Sequence, residues 1–418
     1  MRISSMQIFN IANKSMADAN QAIAKTQEQI SSGKRVITAA DDPVAATKIM
    51  QLTDELASLD QYNKNIDIAQ NNLVLEESVL SNINNLVTRI QELAVQAGNT
   101  GTQTKNEYNA LSQEVSARLD ELQSLLNTKN SNGDYIFGGY KSQSEPFAGD
   151  AQTGFSYHGD GGQQFIKIAN NTTIAATDSG KSAFMDIPSA QNTFNTYASS
   201  ANQSSPPAAI TVGQVVDQEQ YDAFYPEDII ITFNEDSTLS PPAKNFTAVE
   251  RSTGRIIHTE AGDANRPYTP GEPIEINGVS VAITGQPNPG DKFIIESSEK
   301  QDALTTLARF SEAMSSFDGS TEGKEALGKM VATTLDNLQN IQTSISEVVS
   351  NIGARFNTLE STQALHKDSE LVTKEVLSDL RDLDYAEAST RLSAQAMVLQ
   401  AAQQTFIRIS QLTLFSKL

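Results

Sequence analysis

Apolar residues recur every seven positions at both ends of the chain. From Ser4 to about Ser32 the row runs Phe9, Met16, Ile23 and Ile30, with Ala12, Ala19 and Thr26 three positions on. From Tyr385 to Leu418 it runs Tyr385, Leu392, Leu399 and Phe406, with Ala388, Ala402 and Ile409 beside it and Gln395 interrupting the second row. A seven-residue apolar period on a helix is a coiled-coil seam, a stripe too narrow to be stable in water without a partner surface. The two terminal helices are therefore expected to dock on each other or on neighbouring copies of the chain. Phe9, Met16, Ile23, Ile30, Tyr385, Leu392, Leu399, Phe406 and Ile409 are the expected interface.

Longer seams lie inside these. Gly33 is placed to cap the first helix, and after the loop KRVITAADD, Asp42 reads as an N-cap with Pro43 at the first helical position, where its missing N–H costs nothing. The row Leu52, Leu59, Ile66, Leu73, Leu80, Val87 and Ala94 then predicts a helix well beyond ordinary length, ending near GNTGTQ. Thr104 and Glu107 have the spacing of a capping box for a third helix, with Tyr108, Leu111, Val115, Leu119, Leu122 and Leu126 as its apolar row. In the last third, a short amphipathic segment with Leu304, Leu307 and Phe310 is expected to start near Ser298, with Gln301 as its capping partner. The seam Val331, Leu338, Ile345, Ile352 and Leu359 matches the long N-terminal one, and a polar stretch from His366 to Ser369 precedes the final helix. Leu59, Ile66, Leu73, Leu80, Val87, Leu338, Ile345, Ile352 and Leu359 are the expected bundle core.

The middle is different. Of 13 prolines, every one but Pro43 lies between Pro146 and Pro289, which confines long helices to the outer thirds. Gly138 and Gly139, in GDYIFGGYK, are placed to turn the chain out of the bundle. Runs such as GFSYHG, QFIKIA, TTIAA, DIIITF, FTAVE, RIIHTE, PIEINGVSVAITG and DKFIIES, bounded by turn residues, predict strands. The expected fold class is α+β: a long antiparallel helical coiled-coil bundle built from both chain ends, with a central all-β insert. Residues 1–45 and 375–418 are the terminal coiled-coil helices, 46–143 and 297–374 the long-helix bundle, and 144–296 the insert, open to a division into 144–200 and 201–296.

Composition narrows the function. A net charge of -21 and a pI near 4.5 exclude a phosphate-backbone partner or an anionic lipid surface, so neither nucleic acid nor membrane insertion is expected. No apolar run spans a bilayer, and the start MRISSMQIFNIANKSM lacks the apolar core of a cleaved signal peptide. Cysteine is absent and there are only three histidines, so the catalytic and metal-binding repertoire is thin. His158 in HGDGG has no second nitrogen ligand nearby, and His258 and His366 read as isolated side chains. Gly180-Lys181-Ser182 resembles the end of a phosphate loop, but Ala175 stands where that loop needs its first glycine. Asp41-Asp42 is explained by capping rather than by paired-carboxylate chemistry. Catalytic residues, metals and cofactors are all expected to be absent.

The opening MRISSMQIF, the loop ISSGKRVITAADDPVAA, the exit GDYIFGGYKSQSEPF and the ending QAAQQTFIRISQLTLFSKL together resemble the flagellar hook-associated proteins of the flagellin superfamily. The loop and the exit are shared with flagellins; the Met-Arg-Ile-Ser start and the Leu-Phe-Ser-Lys-Leu end resemble the hook-filament junction members, and the segment PIEINGVSVAITGQPNPGDKF looks like their β modules. The resemblance implies a structural subunit of the bacterial flagellum, not an enzyme, exported without a cleaved signal peptide through the flagellar type III apparatus and held beforehand by an export chaperone at its C-terminal helix. It implies an extracellular ring of copies at the hook-filament junction, between a neighbouring hook-associated junction protein and flagellin, with the terminal helices innermost and the β insert outermost. Two other readings stay open: flagellin itself, which would grow filaments alone, and an adhesion or glycan-binding module carried by the insert.

Overall fold

The structure, a computed structural model, describes residues 5–99, 101, 103–258 and 263–415. Three helices open the chain: α1 (Ser5–Ser32), α2 (Pro43–Ala97) and α3 (Lys105–Leu126). Their ends follow local chemistry. Gly33 leaves α1 at φ 69°, a left-handed conformation that costs a side-chain-bearing residue about 1–2 kcal/mol. Asp42 Oδ1 accepts the Ala45 N–H at 3.0 Å, so α2 begins at Pro43. The Thr104 N–H donates to Glu107 Oε2 at 2.6 Å and the Glu107 N–H returns to Thr104 Oγ1 at 3.4 Å, completing the capping box of α3.

Gly138 and Gly139 then turn the chain away, Gly139 at φ 67°. A Cβ at Gly139 would fall on the carboxylate and carbonyl of Asp160, whose Oδ1 accepts the N–H groups of Tyr140 (3.0 Å) and Gly162 (2.8 Å). Gly139→Ala is therefore expected to destabilise by about 2 kcal/mol or more, read as a lower denaturant midpoint at unchanged slope. A midpoint like that of the parent would show that the turn yields.

The insert follows: β1 (Phe147–Asp150), β2 (Gly154–Tyr157), β3 (Phe165–Ala169), β4 (Thr172–Ala175), a π-helical turn at Lys181–Met185, β5 (Pro188–Ala198), β6 (Ala209–Ile210), β7 (Gln214–Val215), helix α4 (Gln218–Phe224), β8 (Ile229–Phe233), β9 (Asn245–Glu250), β10 (Arg266–Pro267), β11 (Pro273–Ile276), β12 (Val279–Thr284) and β13 (Lys292–Lys300). β1 with β2 and β3 with β4 are hairpins; the rest form an antiparallel five-stranded sheet, β10-β9-β8-β13-β5, and a smaller sheet, β11-β12-β6, with β7 also on β12. Alternation sets the buried face. Ile229, Ile231 and Phe233 point inward, and Ile231 stands opposite Phe293 on one side and Ala248 on the other.

The last third holds α5 (Ala303–Ser315), α6 (Thr321–Arg381) and α7 (Tyr385–Phe415). The antiparallel insert between helical chain ends agrees with the expected fold class, with the short α4 added inside it. Four details differ from the expectations. β13 runs through Ser298 to Lys300, and Asp302, not Ser298, caps α5 by accepting the Thr305 N–H at 2.7 Å. α5 is buried on all sides from Ala303 to Ser311, Arg309 included, rather than amphipathic. α6 passes unbroken through His366 to Ser369, because that stretch holds no glycine or proline; the break comes at Asp382–Asp384, where Asp384 caps α7 through the Ala386 N–H at 2.8 Å. Among the described residues of RIIHTE, 255–258, there is only an isolated bridge, Val249 with Ile256, whereas β5, unannounced by its polar sequence, pairs with β13 from Ala198 to Pro188.

The chain forms two compact units: Met1–Asn65 with Glu360–Leu418, and Ile66–Leu359. The second contains both hydrophobic cores. One joins α2 from Ile66, α3, α5 and α6 to Leu359 with Phe137, Phe147, Ile168 and Phe184. The other fills the insert around Phe194, Ile231, Phe246 and Phe293. β5 carries Phe194 into this second core, while Ile187 just before it and Val212 beyond it belong to the first.

Candidate assembly interface

Within the terminal unit, α1 and α7 lie antiparallel along each other: Phe9 meets Phe406 with ring centroids 5.1 Å apart, while at the other end a Cβ on Gly33 would sit 3.0 Å from the Tyr385 hydroxyl. Thr26 is buried in this seam and its hydroxyl donates to Gln395 Oε1 at 2.8 Å, so the residue that interrupted the apolar row has a matching polar partner. The Thr26 hydroxyl also lies 3.0 Å from the Ala22 carbonyl of its own helix, so a slip in register would cost chiefly the bond to Gln395, and the pair favours this register. Arg391 Nη2 donates to Gln29 Oε1 at 3.0 Å, and Gln29 Nε2 donates to the Arg35 carbonyl at 2.6 Å.

The loop after α1 closes that end. The Arg35 N–H donates to the Arg381 carbonyl at 2.7 Å, and the Leu383 N–H to the Gly33 carbonyl at 3.0 Å. Asp41 Oδ2 accepts the N–H groups of Thr38 (2.9 Å) and Ile37 (3.2 Å), and Lys25 approaches its other oxygen at 2.6 Å. The Lys25 ammonium holds the Asp41 carboxyl well below the usual carboxylate range. Asp41 and Asp42 are thus both engaged in shaping the loop.

Met16, Ile23, Ile30, Leu392, Leu399 and Phe406 are half-buried along the seam, as are Ala12, Ala19 and Ala402, and Ala388 is fully buried. Phe9 remains 40% and Tyr385 56% exposed. The side chain of Ile409 lies outside the described residues, as do residues 1–4 and 416–418 of the terminal motifs. In the other unit Ile66, Leu73, Leu80, Val87, Leu338, Ile345, Ile352 and Leu359 are all buried in the first core, and Leu59, in the terminal unit, is half-buried.

The balance of buried and exposed apolar surface separates the units. Among the described residues, only Val36, Ala45, Leu52, Leu377, Leu383 and Ala388 of the terminal unit are buried hydrophobics, and neither core cluster includes a residue from it. Yet thirteen of the twenty-one exposed large hydrophobics belong to it. Val44, Met50, Leu365, Leu371, Val372, Val376, Met397 and Val398 were not singled out by periodicity, which follows the seam and ignores the outward face. A signal was present in Leu371-Val372 and Met397-Val398, since adjacent residues on a helix do not share a face and one of each pair must leave the seam.

The residues considered for chemistry have structural partners. His158 Nε2 lies 3.1 Å from Ser156 Oγ, and His366 is buried with Nδ1 3.0 Å from Asn63 Oδ1. Gly180 sits in a closed turn, where a Cβ would lie 2.7 Å from the Phe147 ring and 2.9 Å from the Phe137 carbonyl. Among the described residues no cluster of three or more His, Cys, Asp or Glu is arranged to hold a metal ion, and no helix is long and apolar enough to cross a membrane.

Residues 3–142 match the family described as the bacterial flagellin N-terminal helical region, and residues 335–416 the bacterial flagellin C-terminal helical region, together more than half of the chain. The flagellar hook-associated protein 3 of Salmonella typhimurium is 33% identical over 189 residues, 45% of this chain and 58% of that protein. That of Escherichia coli is 34% identical over 148 residues, 35% of this chain and 46% of that protein. The chain thus spans about half the length of these curated relatives. The crystal structure of flagellar hook-associated protein 3 from Legionella pneumophila superposes with a TM-score of 0.52 at 25% identity, covering 79% of this chain and 98% of that one.

Proposed function

Since the chain belongs to the flagellin superfamily, we propose that it is a structural subunit of the bacterial flagellum, acting at the hook-filament junction by self-assembly of its terminal helices rather than by catalysis. The observation that carries this reading is the terminal unit's surplus of exposed over buried large apolar side chains. A helical unit with six buried hydrophobics among its described residues has little cohesive energy of its own, and exposed apolar side chains in this number point to an interface. Copies of the chain, packed side by side in a ring, would cover Ile11, Met397, Val398 and Ile407 and so couple the order of α1 and α7 to assembly. A neighbouring hook-associated junction protein on one side and flagellin on the other complete the set of partners, with an export chaperone covering α7 before assembly. The likeness to hook-associated protein 3 from two organisms supports the junction over the filament.

The test is to image the epitope-tagged chain on flagella of a strain lacking the untagged copy. A single focus where filament meets hook is expected. Label along the whole filament, or filaments grown from the purified protein alone, would make it a flagellin. Hits for residues 144–296 on a glycan array, without flagellar label, would favour the adhesion reading.

A further inference from the structure

Glu76, on α2, is fully buried, yet only one of its carboxyl oxygens has a hydrogen-bond partner. Oε1 accepts the backbone N–H of Asp178 at 3.1 Å; Oε2 has none. Asp178 lies in the buried turn Thr177–Ser179 and is itself engaged: Arg355 of α6 grips it with two bonds of 2.7 Å, and Gln163 Nε2 donates to it at 2.6 Å. The charged groups that face Glu76 are Asp178 from the turn and Arg355 from α6. Two carboxyl groups therefore face one guanidinium in a buried site, and its hydrogen bonds go to Asp178.

Burying a net negative charge there would be costly, so the site needs one proton. The bidentate fork of Arg355 belongs to Asp178, which leaves the proton to Glu76. We propose that protonated Glu76 is a latch on the segment 176–187, holding it against α2 and α6, and that its grip loosens progressively as the solution passes from mildly acidic to mildly alkaline. The segment matters because Ala176, Ala183, Phe184 and Ile187 are part of the first core and the chain enters β5 directly after it. Burial first, and the Asp178 charge second, push Glu76 up from about 4.5 to about 8. The sign follows from linkage. Between those values the closed segment keeps its proton while the opened one loses it, so opening becomes easier as pH rises through that interval and levels off above it.

Hydrogen exchange of the full chain between pH 5 and 9, corrected for intrinsic rates, tests the latch. The opening equilibrium of residues 176–187 is expected to rise by up to about tenfold per pH unit to pH 8 and then flatten. Glu76→Gln, which keeps the shape without the titration, should show no such slope, while β8 and β9 of the insert behave alike in both proteins. An equal slope in Glu76→Gln, or none in the parent, overturns the proposal. If that variant does not fold, the carboxyl carbon of Glu76 in the parent, followed by NMR with labelled glutamate, decides: titration near pH 8 supports the latch, and titration in the ordinary glutamate range refutes it.

Discussion

Phe406→Asp and Ile23→Asp are each expected to abolish incorporation of the chain into the flagellum while leaving both hydrophobic cores of the other unit folded. Phe406 fills the α1–α7 seam against Phe9, and Ile23 is half-buried on the same helix face as Thr26. An aspartate at either place sets a carboxylate without a partner against an apolar stripe, at a cost of several kcal/mol. In a unit with six buried hydrophobics among its described residues, that is a large fraction of what holds the pair together. The cores around Leu73 and Ile231 contain neither residue, so cooperative unfolding of that unit should survive. Purified flagella from complemented strains give the readout: bound variant below detection, with parent-like unfolding of the isolated protein's main transition. Normal incorporation of either variant would remove the seam from the account of assembly.

The second large effect concerns Arg309. Its guanidinium is buried and all five N–H groups are used: Nε donates to the Gly213 carbonyl (2.8 Å), Nη1 to Thr193 Oγ1 and Gln301 Oε1 (2.6 Å each), and Nη2 to the carbonyls of Phe194 (2.8 Å) and Val212 (3.1 Å). The Phe194 ring lies 4.4 Å away. Burial lowers the arginine to about 10, so it remains charged at neutral pH, opposite the fully buried Asp302 that caps α5. Arg309→Met would remove the guanidinium from five oxygens, of which Gln301 Oε1 keeps the Thr193 hydroxyl as a donor, and the counter-charge from one buried acid, and should destabilise by about 3–5 kcal/mol. Arg309→Lys keeps the charge but has three donors in place of a five-pronged fork, and should still lose about 2 kcal/mol. Chemical unfolding followed by far-ultraviolet circular dichroism measures both. A loss under about 1 kcal/mol for the methionine variant would mean that water replaces the guanidinium.

Most of the helical architecture was legible because heptad spacing reports directly on which face is buried; every apolar position picked for α3 is buried. The first strand of the large sheet was not, because PSAQNTFNTYA is held by its ladder to β13 and buries only Thr193 and Phe194 fully. The continuity of α6 was hidden because a polar stretch looks like a loop when the partners of its buried His366, Tyr62 and Asn63, lie more than 300 positions away. Arg309 carried a faint signal as a lone cation in ALTTLARFSEAM, but its acceptors are mostly backbone carbonyls of β5 and the β6–β7 link, which no residue pattern announces. The seam residues of α1 and α7 were visible one by one, while the outward apolar set was not, because periodicity identifies what packs and is blind to what waits.

Thr26 and Gln395 stand 369 positions apart, so α1 has its register partner in α7. Local helices form early and distant pairs late, and closing so long a separation is slow relative to the bundle between them. The α1–α7 seam is then expected to close after the bundle has formed. A chain broken off before α7 would keep its inner core yet offer α1 nothing to read its register against. The antiparallel closure would thus make the order of α1 depend on an α7 that is present and in register.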